Sequence, residues 1–336
     1  MQHRQRPFVP GQQGMAAVAA LLIVAVVSVM AAGILARQAA RTDSAQAEQS
    51  RVQARWLLRG GLAWAQALLE REAQRDPATR LDGAWSQPVA LRPGGRSRAQ
   101  FGVYRGEIID EQGKFNLRNL EWDGEVVVSE VEAFTRLCAM LGVPAASADA
   151  IMRRVLLAIA SPQRAPRPDA QDPQTQARRQ AEQQVRARLG LPASLPRPRA
   201  PFPRALEDLL AVEGVDAQVI ARLKPYVTIL PARTWLNANT TRAEVLAAWI
   251  PGYTLERARA LLGQRDQGQW FVNRGDIMNR LQMPELRNER LPIGIQSNFF
   301  LVRGVVEHQG VVMIMAALLH DDKRTTPRVV WTREGA

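Results

Sequence analysis

The chain has 336 residues, 46% of them hydrophobic, which is enough for two or three domains with buried cores. Its only cysteine, Cys138, excludes an intramolecular disulfide and a cysteine-based metal cluster. The formal net charge of +12 is spread over 41 Arg and 3 Lys, so it does not by itself indicate a nucleic-acid surface. The sequence has no Gly-x-Ser-x-Gly, His-Glu-x-x-His or phosphate-loop motif, so it does not indicate an enzyme.

The first predicted element is a membrane-spanning helix. Residues 15–36 form an uncharged run of 22 residues, and such a helix would be about 33 Å long, close to the thickness of a bilayer core. The leader, residues 1–14, carries Arg4 and Arg6 without an acidic residue, which places the N-terminus in the cytoplasm and most of the chain across the membrane. A cut after Gly14 would precede the apolar run, whereas secretory signals are cut after theirs, so the helix would stay attached.

This order resembles the class III signal of type IV pilins and of type II secretion pseudopilins. The resemblance implies that a prepilin peptidase cuts between Gly14 and Met15 and methylates the new N-terminus. The fifth mature residue is Ala19 instead of the usual Glu, and this departure is typical of the K-type minor pseudopilins. Small residues predict close helix contacts during assembly. They are Ala16, Ala17, Ala19, Ala20, Ala31, Ala32 and Gly33.

Beyond the membrane, residues 37–116 predict a long helix followed by the first strands of a sheet. Apolar residues at helical spacing continue to about Arg75, and Gly60-Gly61 interrupts the pattern, which predicts a bend or a close packing contact. The segment 99–113 predicts a strand pair after a turn-rich stretch. A cation site can be imagined at Asp110, Glu111 and Asn116, but a solvated turn with local Asx hydrogen bonds is the preferred interpretation.

Residues 117–291 predict an inserted helical domain. It starts with two helices, the first of which buries Cys138, and continues into a loop at 161–204 with nine prolines, nine arginines and three acidic residues. The middle of this loop predicts an exposed polar helix. Residues 292–336 are rich in Val and Phe around a His-Gln-Gly hairpin signal, so they predict strands that complete the sheet.

Two segments of the insertion, 206–231 and 236–281, resemble helix-hairpin-helix units. Their turns, centred on Gly214 and Gly252, lack the second glycine that DNA-binding turns use to approach phosphates, and Glu213 places an anion beside the first turn. These units therefore predict helix packing, and no nucleic-acid partner is expected. The residues that could still give weak, salt-sensitive DNA binding in the less favoured alternative are Arg257, Arg259 and Arg265.

The predicted fold is α+β: a membrane-spanning pilin-type helix, then a helix-on-antiparallel-sheet module interrupted by the helical insertion. Resemblance to K-type minor pseudopilins implies an inner-membrane protein at the tip of the periplasmic pseudopilus, partnered by the I and J types and supporting protein export. The family is associated with calcium, but the basic loop here offers only Asp169, Asp172 and Glu182, so no cofactor is expected and the metal site is unknown. The alternatives are a membrane-anchored DNA-uptake protein and a type IV pilus minor pilin.

Overall fold

The structure is a computed structural model that describes residues 12–91, 102–159, 173–192, 198, 200–283 and 291–335. The predicted leader charges, Arg4 and Arg6, and the acidic residues Asp169 and Asp172 lie outside the described residues. The described helices are α1 (Gln12–Arg75), α2 (Val128–Met140), α3 (Ala145–Ala158), α4 (Pro173–Arg188), α5 (Ala217–Leu223), α6 (Ala243–Trp249), α7 (Leu255–Asp266) and α8 (Arg274–Leu281).

The strands fall into one main sheet and three short pairs. The main sheet contains β1 (Val89–Leu91), β2 (Val103–Asp110), β9 (Phe299–His308), β10 (Val311–His320) and β11 (Arg328–Gly335). Its order is β1-β2-β9-β10-β11, and every neighbouring pair is antiparallel. The pairs are β3 (Phe115–Asn116) with β6 (Val227–Thr228), β4 (Glu121–Trp122) with β5 (Glu125–Val126), and β7 (Leu236–Asn237) with β8 (Ile293–Gly294).

Helix α1 runs without interruption for 64 residues, or about 96 Å. It ends at Arg75, just before Asp76-Pro77, as the sequence predicts. The helix continues through Gly60-Gly61, and of the two predicted roles for these glycines the close packing contact is confirmed. A Cβ atom on Gly61 would overlap the ring of Tyr104 from β2, whereas a Cβ atom on Gly60 would meet nothing within 4 Å. Gly61 therefore allows the helix to approach the sheet.

The packed part of α1 covers one face of the main sheet. Ala54, Leu58, Ala65 and Leu69 are buried there, at the spacings of three to seven residues that keep side chains on one face of a helix. The ring of Tyr104 fills the space between the helix and the sheet. Added Cβ atoms on Gly106 and Gly304 would also overlap that ring, so three glycines from three elements make room for one aromatic side chain.

The prediction of a strand pair within 99–113 is wrong. Gly106 lies inside the single strand β2, where it makes room for Tyr104 and forms no turn. The partner strand β1 comes from the preceding stretch that the sequence indicated as turns, and it pairs Ala90 with Arg105. The C-terminal hairpin is confirmed, since Gln309 and Gly310 both have positive φ, at 45° and 79°, as two-residue hairpin loops require.

The helical insertion leaves the main sheet after β2 and returns to it at β9, the strand beside β2. Its helices bury one continuous apolar cluster that includes Cys138, so the predicted burial of this cysteine is confirmed, and burial raises the pKa of its thiol to about 12. The predicted polar helix forms as α4, but it is not wholly exposed. Val185 in α4 and Leu189, directly after its end, are both buried in the cluster.

Candidate assembly helix and buried junction

The N-terminal part of α1, residues 15–36, is not buried against any other element that the structure describes. Its described side chains are all exposed, and its hydropathy identifies it, within the described part of the chain, as the one helix long and apolar enough to cross a membrane. We call these residues the bare half. The large apolar side chains it exposes are Met15, Val18, Leu21, Leu22, Ile23, Val24, Val26, Val27, Val29, Met30, Ile34 and Leu35. Only lipid or other apolar helices can cover such a surface favourably.

The predicted small residues lie on this bare half but do not form a single stripe. At 100° per residue, Ala20 and Ala31 share one side of the helix, Ala17 and Ala32 lie further round, and Ala19 and Gly33 fall on another side, while the side chain of Ala16 lies outside the described part of the structure. Gly14 and Met15 lie in the first turn of α1. The bare half therefore offers close approach to neighbouring helices from several directions.

Further along α1, an apolar stripe faces away from the sheet. Val52, Trp56, Gly60, Ala63 and Ala67 recur at spacings of four, four, three and four, and all five are exposed. Trp56 is 66% exposed, with the Arg59 guanidinium carbon 5.6 Å from its ring centre. We call these five residues the outward stripe. Because Gly60, Ala63 and Ala67 are small, a second helix could pack closely along this stripe.

A buried polar junction joins the insertion to the main sheet at Asp110. The predicted Asx hydrogen bonds are present, with Asp110 Oδ1 accepting from the Gln112 amide at 2.8 Å, but the predicted solvation is wrong because Asp110, Glu111 and Asn116 are all buried. The segments around Asn237 and Ser297 cover the turn. Sequence patterns alone did not show this, because these segments are distant along the chain.

Asp110 accepts hydrogen bonds from three side chains through its other oxygen, Oδ2. These come from Ser297 Oγ at 2.6 Å, Thr240 Oγ1 at 2.5 Å and Asn237 Nδ2 at 3.2 Å. Asn237 also donates to the Thr79 carbonyl at 3.1 Å, which ties in the loop after α1. Burial raises the pKa of Asp110, while its hydrogen bonds act in the opposite direction. The junction thus holds four chain segments without a buried ion pair.

The other two residues of the imagined cation site are also used internally. Glu111 Oε1 accepts from Lys114 Nζ at 2.6 Å, and Asn116 Nδ2 donates to the Ala232 carbonyl at 2.9 Å. Asn116 Oδ1 accepts from the amides of Arg118 and Leu230. These three side chains stabilise the turn and its neighbours, so they do not form the imagined cation site.

A calcium site does not fit the residues around Glu182. Glu182 Oε1 already accepts from Arg186 Nε at 2.9 Å, Arg186 Nη2 at 2.7 Å and the Val126 amide at 2.9 Å. Arg186 Nη1 also donates to the Pro192 carbonyl at 3.1 Å, and both charged side chains are largely buried. Among the described residues, no group of three or more His, Cys, Asp or Glu side chains can hold a metal ion. The guanidinium supplies the positive charge that this carboxylate needs.

Glu130 is a buried carboxylate that no sequence pattern indicates. Burial raises its pKa to about 7, although both carboxylate oxygens lie 3.3 Å from Trp249 Nε1 and the charge of Arg233 acts in the opposite direction. Through Trp249, Glu130 links α2 to α6. In the sequence, Glu130 is a lone Glu in the first turn of a helix. Exposed Glu residues are common at that position, so the sequence does not indicate burial.

The glycine-centred turns adopt the expected left-handed backbone, with φ of 80° at Gly214 and 73° at Gly252. The three arginines near the second turn are engaged within the domain. Arg257 stacks on Tyr253 with 4.8 Å between the guanidinium carbon and the ring centre, and Arg259 lies 3.5 Å from Glu244. Arg265 is buried and donates to the carbonyls of Ala238 and Thr241. These three side chains therefore make contacts that hold the helices of the insertion together.

Comparisons with known proteins agree along most of the chain. Family models described as "Type II secretion system (T2SS), protein K" match residues 113–232 and 236–295. Type II secretion system protein K of Pseudomonas aeruginosa is 32% identical over 306 residues, covering 87% of this chain and 84% of that protein. The protein K of Klebsiella pneumoniae is 31% identical over 280 residues, covering 80% of this chain and 78% of the relative.

A solved structure shares the fold. It belongs to the GspK-GspI-GspJ complex from the enterotoxigenic Escherichia coli type 2 secretion system, and its matching chain superposes with a TM-score of 0.61 at 22% identity. The match covers 87% of this chain and 99% of that chain. The similarity therefore extends over both the sheet and the inserted helices.

Proposed function

Because the chain belongs to the type II secretion system protein K family, we propose that it is a minor pseudopilin that assembles with I- and J-type partners and supports protein export. The observation that carries the proposal is the single helix α1, whose bare half has no partner among the residues that the structure describes, while the rest of the helix packs on the sheet. One end is suited to a membrane or a filament, and the other end carries the folded module. The family is a structural component of the secretion machinery.

We propose that α1 crosses the inner membrane once, with its N-terminus in the cytoplasm and the sheet and insertion in the periplasm. Arg4 and Arg6 in the leader support this orientation. Cleavage by a prepilin peptidase between Gly14 and Met15, followed by methylation, would release the leader and keep residues 15–36 as the anchor. N-terminal sequencing of protein expressed with and without the peptidase tests this step, and a mature chain that starts anywhere except Met15 contradicts it.

We propose a position at the tip of the pseudopilus, where assembly begins. Ala19 lacks the carboxylate that would neutralise the N-terminal amine of a subunit above it, which supports a terminal position. The proposed division is residues 37–116 and 292–336 for the pilin-like module and 117–291 for the insertion with helix-hairpin-helix-like units. An insertion of this size beside the sheet would hinder stacking of further subunits on top.

The assembly proposal is tested by co-purifying the full-length protein in detergent with full-length I- and J-type pseudopilins. We expect a stoichiometric complex, and we expect Trp56→Ala on the outward stripe to weaken it about tenfold or more, as hot-spot tryptophans do. Trp122→Ala is the matched control, since Trp122 is similarly exposed but lies on the insertion. Absence of any complex at micromolar concentration would contradict the proposal.

We propose that the insertion does not need calcium, because Arg186 already neutralises Glu182 in a largely buried pair. The melting temperature of the full-length protein in detergent should be the same in EDTA and in millimolar calcium. Arg186→Gln should lower the stability by about 3–5 kcal/mol, since it leaves a buried carboxylate without its cation. A calcium-induced rise of several degrees in the wild type would contradict the proposal.

A further inference from the structure

An open recess of about 520 Å³ lies at the seam between the insertion and the main sheet. The insertion contributes residues 232–235 and 273–274, and nearly all the other lining residues lie in the turn after β2 and in or between β8 and β9. The Thr79 amide, just after α1, donates to the carbonyl of the lining residue Ile295 at 2.8 Å. The recess therefore lies near the end of α1 that is about 60 Å along the helix from the bare half.

The charged side chains that line this recess are cationic. Arg233 and Arg274 both line it, His320 lies beside them in the lining, and the described lining residues include no Asp or Glu. Arg274 makes an interaction of its own. Arg233 forms no ion pair within the described part of the chain, and its guanidinium carbon lies 4.7 Å from the ring centre of Trp122, outside the recess. The lining therefore favours an anionic ligand.

Arg233 is a half-buried cation whose acidic neighbours bind other groups. Burial lowers the pKa of Arg233, and the charges of Glu130 and Glu121 act in the opposite direction. Glu121 Oε2 accepts from Arg118 Nη1 at 2.7 Å. Both carboxylate oxygens of Glu130 lie 3.3 Å from Trp249 Nε1. A carboxylate that entered the recess would therefore form the close ion pair that Arg233 lacks among the described residues.

Trp235 provides an apolar wall in the same recess. Its side chain is 57% exposed, and its ring lies against Gly294 of β8, where an added Cβ atom would be 3.4 Å from ring atom Cε3. Val272, directly before the lining residue Asn273, is 67% exposed. Tryptophan and arginine are the residue types that dominate protein–protein binding sites, so an exposed tryptophan and an arginine in one recess indicate a protein ligand.

The backbone that carries Arg233 and Trp235 is held in place by side-chain amides. Asn119 Oδ1 accepts from the Thr234 amide at 3.1 Å, and Asn119 Nδ2 donates to the Thr234 carbonyl at 3.0 Å. The Trp235 carbonyl accepts from Gln112 Nε2 at 3.2 Å. Because this backbone is fixed before a ligand arrives, binding would cost less conformational entropy than binding to a mobile loop.

We propose that this recess binds an acidic segment of a partner protein, in which a carboxylate lies next to an apolar side chain. The carboxylate would pair with Arg233, and the apolar side chain would pack on the Trp235 indole. A nucleic acid is disfavoured, since strong binding to a phosphate backbone needs a series of cations and the described lining has two arginines. The recess is separate from the bare half and from the outward stripe, so this proposal does not depend on assembly through α1.

The test is a calorimetric titration of the full-length protein in detergent, at low salt, with the acetylated and amidated peptide Glu-Asp-Phe-Glu-Asp. The matched peptide Gln-Asn-Phe-Gln-Asn has nearly the same shape without the charges. We expect the acidic peptide to bind about tenfold or more tightly than the uncharged one, and Arg233→Gln should remove most of this preference. Trp235→Ala should weaken the binding of both peptides about tenfold.

The matched controls come from the tryptophan–arginine stack on α1. Trp56 is 66% exposed with Arg59 beside its ring, so Trp56→Ala and Arg59→Gln remove the same kinds of side chain far from the recess. Both variants should bind the peptides like the wild type. Melting temperatures check that each variant folds. Arg233→Gln keeps the test decisive if Trp235→Ala does not fold, because Arg233 is only half-buried and has no described ion pair to lose.

Three results would overturn the proposal. The first is no binding of the acidic peptide by the wild type at millimolar concentration. The second is equal affinity of the wild type for the acidic and the uncharged peptide. The third is tighter binding of a short oligothymidylate that Arg233→Gln abolishes, which would make the recess a nucleic-acid site. No other pseudopilin is present in this titration, so its failure is distinct from a failure of the assembly proposed above.

Discussion

The bare half of α1 and the packed remainder of the helix differ in both apolar content and environment, since 20 of the 22 residues in 15–36 are apolar but only 17 of the 39 in 37–75. In the bare half, apolar residues surround the helix on every side and are not covered by any described part of the chain. In the packed half, apolar residues such as Leu58 and Leu69 recur on one side among Arg and Gln, and that side lies on the sheet. The comparison shows that the number of apolar residues and their arrangement around a helix together indicate whether protein or lipid covers them.

The sharpest test of this comparison substitutes one leucine in each half. Leu58 is fully buried and Leu22 is 63% exposed. Leu58→Ala should lower the free energy of unfolding by about 2–5 kcal/mol because it leaves a cavity against the sheet. Leu22→Ala should leave it unchanged within error. Chemical denaturation of both full-length variants in the same detergent measures the difference, and equal losses would show that the bare half has a hidden packing partner.

An arginine introduced into each part of α1 tests membrane insertion, where we expect the bare half to be the sensitive part. Val26 lies near the centre of residues 15–36, so Val26→Arg should cost about 2.5–3.5 kcal/mol in membrane insertion and should not affect unfolding of the sheet. Val52→Arg, which is also exposed but lies beyond the apolar run, is the control and should insert normally. The fraction of protein that resists alkaline extraction from membranes is the measurement. Normal insertion of Val26→Arg would argue against a spanning helix.

The smallest expected change in stability comes from alanine substitutions of the two neighbouring glycines, Gly60 and Gly61. Gly61→Ala should destabilise the protein by about 1–3 kcal/mol because its methyl group would overlap the Tyr104 ring. Gly60→Ala should instead stabilise it by up to about 1 kcal/mol, since it gains helix propensity in open space. Melting temperatures in detergent should therefore shift in opposite directions. Shifts of the same sign would show that α1 does not approach the sheet through Gly61.

The sequence was most informative where a pattern is local. The long helix, its end before Asp76-Pro77, the buried Cys138 and the hairpin at Gln309-Gly310 all follow from spacing, backbone preference or apolar surroundings within a few residues. Gly106 misled the prediction because a glycine inside a strand resembles a turn signal. Its reason, the Tyr104 ring beside Gly61 and Gly304, depends on elements that are far apart in the chain.

The buried junction was not predictable for the same reason. Asp110 looks like a turn residue locally, and its role depends on Asn237, Thr240 and Ser297, which lie 127, 130 and 187 positions away. The pairing of Glu182 with Arg186 has local spacing, but its burial against the Val126 amide again needs a distant partner. Polar residues that act across long separations give little signal in a single sequence.

The position of the insertion has a consequence for the order of folding. Adjacent central strands β2 and β9 pair Asp110 with Phe300, so the intervening chain of roughly 190 residues must first be brought end to end. Closing so long a flexible loop costs about 5 kcal/mol of chain entropy, and an insertion that has already folded removes most of that cost. We therefore expect refolding kinetics to report the burial of Trp249, in the insertion, before that of Trp85, beside the sheet. The insertion would then act as the template that permits the sheet to close.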